Sequence, residues 1–84
     1  MKSYTLHPNG AMIEYKPRYG VAFNHLELLQ AVKTEAYVAI PFQGSKVMIL
    51  GSSVNPRDVN AQASELLKAK IIGVVLVCER SMIC

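Results

Sequence analysis

Hydrophobic and polar positions trade places with two different periods along this chain. In the segment AMIEY (residues 11–15), Met12 and Glu14 fall on one side of an extended chain and Ile13 and Tyr15 on the other. SYTLH (3–7) precedes it, and between them lies PNG, whose Asn9–Gly10 pair tolerates positive φ. The pattern predicts strand, turn, strand, ended by Pro17, which has no N–H for a ladder. Gly20 permits a bend, and VAF (21–23) reads as a short strand or a continuation.

From Asn24 the period lengthens. Leu26, Leu29 and Val32, with Leu28 beside them, form a helical stripe that runs to Lys33 or Thr34. Asn24 is an N-cap, Glu27 completes a capping box, and Phe23 and Leu28 occupy staple positions. EAYVAIPF (35–42) is rich in strand formers, and Pro41 places its end at a sheet edge or a bulge. QGSK turns the chain into KVMIL (46–50), an antiparallel hairpin.

The segment GSSVNPRD (51–58) then reads as an approach to a second helix. Asn55 is the expected cap, Pro56 the first helical residue, and Asp58 complements the dipole in the first turn. Val59, Ala63, Leu66 and Leu67 share one helical face, and Lys68 and Lys70 suit the C-terminal end. IIGVVLVCE (71–79) is apolar at nearly every position, as a central strand covered on both faces, or on one face with an oligomer contact on the other, would be. RSMIC follows as a tail.

The predicted order is ββαββαβ, an α+β fold in a single domain spanning residues 1–84, with 79–84 as its tail. From Val21 or Ala11 onward the order βαββαβ is that of a ferredoxin-like split βαβ unit, a two-layer sandwich with both helices on one face of an antiparallel sheet. That arrangement hosts many unrelated functions and names no family.

Composition narrows the function by exclusion. With 51% hydrophobic residues, the 84-residue chain is not disordered. It carries more apolar surface than so short a chain easily hides, so a homo-oligomer is expected. The +3 net charge is spread out with no basic run, which permits nucleic-acid binding without indicating it. No segment reaches the ~20 apolar residues of a membrane span, and the N-terminus has no secretory pattern. Cytoplasmic residence is the expectation, consistent with two cysteines that make no disulfide framework.

Chemistry is sparse. His7 and His25 stand beside no nucleophile motif such as G-x-S-x-G, and Cys78 and Cys84 lack zinc-pair spacing. No catalytic residue, metal or cofactor is assigned, and an enzyme is not expected. Two stretches could bind an anion. In the first, Gly51 would admit a ligand to the backbone, Ser52, Ser53 and Asn55 would meet it at a helix start, and Arg57 would fork onto a phosphate or carboxylate. In the second, YKPRYG (15–20), Tyr15 and Tyr19 interleave with Lys16 and Arg18 and could stack on a nucleobase or line a subunit contact.

Three readings follow. The leading one is a small non-enzymatic binding module, a regulator or inhibitor acting through protein–protein contact at a strand edge or open sheet face. The alternative is an oligomer that holds an anionic small molecule such as a nucleotide, and the second alternative is nucleic-acid binding. From its first Met to its end the chain reads as complete, and genes this small often encode accessory regulators, phage-borne ones included.

Overall fold

A computed structural model describes residues 3–18, 20, 22–51 and 57–83. The chain forms β1 (Tyr4–Leu6), β2 (Met12–Glu14), α1 (His25–Val32), β3 (Tyr37–Gln43), β4 (Lys46–Gly51), α2 (Ala61–Leu67), β5 (Val75–Glu79) and a 3-10 turn (Arg80–Met82). The strands make one sheet in the order β2-β1-β5-β4-β3, and all its neighbours are antiparallel.

The expected α+β class holds, but the ferredoxin-like arrangement does not. A split βαβ unit joins parallel strands around an inserted one. Here α2 joins β4 to β5, which are adjacent and antiparallel. The two helices also lie on opposite faces, not on one. Val47 and Ile49 of β4 and Leu76 and Cys78 of β5 pack with Leu28, Ala31 and Val32 of α1. The alternate residues Met48, Val75 and Val77 pack with Ala63 of α2, with Leu50 and Leu67 against that cluster. The cause is legible in β4 and β5 themselves: strands apolar at successive positions need cover on both sides. β5 is accordingly the middle strand, with Val75, Leu76, Val77 and Cys78 all buried.

Both helix starts are set by asparagine. Asn24 accepts the Glu27 N–H while the Glu27 carboxylate accepts the Asn24 N–H, completing the expected capping box. The buried stripe is rotated from the expected one: Leu28, Ala31 and Val32 face the sheet, whereas Leu26 is 62% exposed. Glu27 takes a buried place because its carboxylate is fully used (below).

The second helix begins later than expected. Asn60, not Asn55, is its cap: Asn60 Oδ1 accepts the Ala63 N–H at 3.2 Å. Val59 lies outside the helix, bridged to Ile72. Gly73, at φ 88°, breaks the run IIGVV, so β5 starts at Val75. Asn60 is the hub of this region. Fully buried, it donates from Nδ2 to the carbonyls of Leu6 and Gly73, both at 2.9 Å, joining the end of β1 to the entry of β5.

At the other end of β5, Arg80–Met82 turn back. The Phe23 N–H donates to Met82 O, Ile83 bridges Phe23 in parallel, and Met82 and Ile83 pack on the α1-side core. None of the helices among the described residues is long and apolar enough to cross a membrane.

Candidate functional site

Tyr15 and Arg18 of the stretch YKPRYG are pinned to the first turn of α1. Tyr15 stacks on Phe23 with ring centroids 5.4 Å apart, and its hydroxyl donates to Glu27 O at 3.0 Å. One ring face of Tyr15 is thus occupied from within the protein. The Arg18 N–H donates to Glu27 Oε2 at 2.6 Å. Backbone hydrogen bonds from Arg18 and then Asn24 hold the Glu27 carboxyl below its ordinary pKa range. Burial, and secondarily the Glu27 charge, push the Tyr15 hydroxyl up.

The second candidate leads into α2. Ser52, Ser53 and Asn55 lie outside the described residues, as does Tyr19 of the first candidate. Arg57 is exposed, and Asp58 borders a depression of ≈ 420 Å³ that Lys33 and Thr34, just past the end of α1, also line. The Arg18 N–H thus lies at the first turn of α1 and Asp58 borders the depression beyond its last, and the eight residues of α1 span ~12 Å. Gly51 does not open its backbone to a ligand. A Cβ there would lie 2.5 Å from Thr34 Oγ1, so the space is already filled by a side chain.

The histidines and the cysteine among the described residues are engaged in structure. The Thr5 hydroxyl lies 3.3 Å from Ile13 O and shares a 2.9 Å hydrogen bond with His7 Nε2. His25 Nδ1 meets the Tyr37 hydroxyl at 3.2 Å. Cys78 is buried, and burial, with the neighbouring Glu79 charge second, raises its thiol to about 11. Among the described residues, no group of three His, Cys, Asp or Glu could hold a metal, and every buried side-chain polar atom has a partner.

What remains open is the margin of the sheet, and its two margins differ. β2 is three residues long, carries Glu14 with Lys16 at 3.8 Å, and runs into Pro17. Shortness, charge and proline are the usual devices that blunt an edge. β3 is seven residues long, YVAIPFQ, with no charged side chain and no fully buried residue. Its one blunting device is late: Pro41, with the register shift between Pro41 and Gln43. Tyr37, Val38, Ala39 and Ile40 ahead of it keep regular pairing with β4 and leave the opposite side of the strand unpaired by any other strand of the sheet.

The α2 side of this margin is apolar. Val38, 58% exposed, lies opposite Leu50 on the α2 side, and a shallow depression of ≈ 90 Å³ lined by Ala36, Tyr37, Val38, Leu50 and Gly51 sits beside it. The sequence pattern alone marks this segment as a strand whose end lies at a sheet edge or a bulge. The missing signal was the contrast between a charged, proline-ended strand 12–14 and an uncharged strand 37–43.

Comparison with known proteins gives no relative: no family model, curated protein or solved structure matches this chain.

Proposed function

We propose that this protein is a small non-enzymatic binding module that acts on a protein partner, in the manner of a regulator or inhibitor, by accepting an extended segment of that partner along β3. The observation that carries this reading is the uncharged, half-exposed edge of residues 37–40 in a sheet whose other edge is blunted. Strand addition suits it. Main-chain hydrogen bonds supply affinity, and alternate side chains meet the apolar strip of Val38 and Ile40. The engaged histidines and Glu27 and the satisfied buried polar groups support binding over catalysis.

The test pairs capture with mapping. Wild type and Val38→Lys are used to capture partners from an extract of the source cells, and the purified complex is analysed by hydrogen exchange. Slowed exchange at residues 37–40 and loss of capture by Val38→Lys are expected. A partner held equally by both proteins, or one that protects other residues and leaves 37–40 unchanged, would overturn the proposal.

A further inference from the structure

Resting on that reading, we infer that the strand β3 accepts in the absence of another partner is β3 of a second copy, so that two five-stranded sheets join edge to edge as one antiparallel sheet. The geometry is self-complementary. About a two-fold axis at Ala39, Val38 of one copy faces Ile40 of the other, Tyr37 faces Pro41, and Ala39 faces Ala39. Every one of these pairs sets apolar against apolar, and the smallest side chain, Ala39, meets its own copy at the axis. No charge in residues 37–43 meets its own copy, which is the feature that most often forbids an edge from pairing with itself.

Neighbouring side chains widen the contact. Val38 and Ile40 share the α2 side of the sheet with Leu50 and Phe42, and the same side chains of the second copy continue that strip across the axis. Tyr37 and Ala39 do the same on the α1 side. Pro41 withholds one N–H from each strand, which limits the ladder to a short one and keeps it exchangeable. A second copy and a partner then compete for one edge, and concentration sets which of them holds it.

Analytical ultracentrifugation across a concentration series, on wild type and Val38→Lys under reducing conditions, tests this directly. Val38 is 58% exposed, so the lysine should leave the fold intact, which circular dichroism checks. A reversible wild-type dimer is expected, with a dissociation constant raised at least about tenfold by Val38→Lys because the new charges meet near the axis. Hydrogen exchange at 37–40 should slow in the dimer alone. A wild-type monomer at all concentrations, or a dimer that Val38→Lys leaves unchanged, would overturn the inference. In the monomer case, a partner strand that still protects 37–40 leaves the strand-addition reading standing. A partner bound alike by wild type and Val38→Lys removes that reading too.

Discussion

Asn60 shows how much a single polar side chain decides here. Its amide closes the α2 cap through Oδ1 and satisfies two backbone carbonyls, Leu6 O and Gly73 O, from the same Nδ2. All of this happens with the residue fully buried. Asn60→Ala removes a cap worth about 1 kcal/mol and leaves two buried acceptors without donors, each costing of order 1 kcal/mol. A loss of ~3 kcal/mol in urea unfolding is expected, a large share of the stability of a domain this small. Glu27 is the second such residue, with a pH signature. Its carboxyl is held low by the Arg18 and Asn24 N–H groups, so the folded state favours the charged form. The stabilisation is present above the ordinary unfolded carboxyl range and is lost as pH falls through the depressed folded value. Melting curves of wild type and Glu27→Gln should therefore differ most near neutral pH and converge on acidification. A gap that persists at acid pH would show that the side chain acts through packing instead.

At the scale of elements, local rules written in short range were legible and those decided by distant contacts were not. The Asn24–Glu27 capping box, the β3–β4 hairpin and the apolar middle strand all follow from neighbours in sequence. The start of α2 did not. Asn55 followed by Pro56 has every local mark of a cap, and Asn60 wins because its side chain reaches Leu6, 54 residues away, a contact no local pattern encodes. The placement of the helices on opposite faces was missed for a similar reason. Element order is the same for one face or two, and only the double-sided burial of β4 and β5 separates them. The candidate site was legible as a strand whose end lies at an edge or a bulge, but not as an edge open along residues 37–40, since that depends on where β2 ends up. Helix ends carry a further prediction. Lys33 and Lys68 both terminate their helices in the left-handed region, at φ 58° and 54°, where glycine is at ease and a side chain costs energy. Lys33→Gly should raise stability by about 1 kcal/mol, seen as a melting temperature higher by ~4–8 °C. No gain would mean that Lys33 makes a compensating contact along the depression it lines.

For the whole molecule, the question is which physical force its interactions obey. The net charge of +3 is spread over the chain, and the edge proposed for binding has no charge in its seven residues. Among the described residues, the large apolar side chains Met12, Ile13, Leu26, Val38, Val59 and Leu66 stand exposed, and of these Val38 belongs to the open edge β3. Association through β3 therefore rests on backbone hydrogen bonds and apolar burial, neither of which is screened by salt. Two copies of +3 repel weakly, and salt relieves that repulsion. The dimer should be unchanged or slightly tighter between ~0.05 and ~0.5 M sodium chloride, and tighter again in sulfate, which strengthens apolar burial. An anionic ligand or nucleic acid held by Arg18, Arg57 and the lysines would behave in the opposite way, weakening steeply over the same range as counterions compete. Dissociation constants measured by ultracentrifugation and by ligand titration across one salt series read both responses on the same protein. A binding event that weakens steeply with salt and is lost in the Arg18→Ala, Arg57→Ala double variant would assign the function to charge and leave β3 as a self-pairing edge alone.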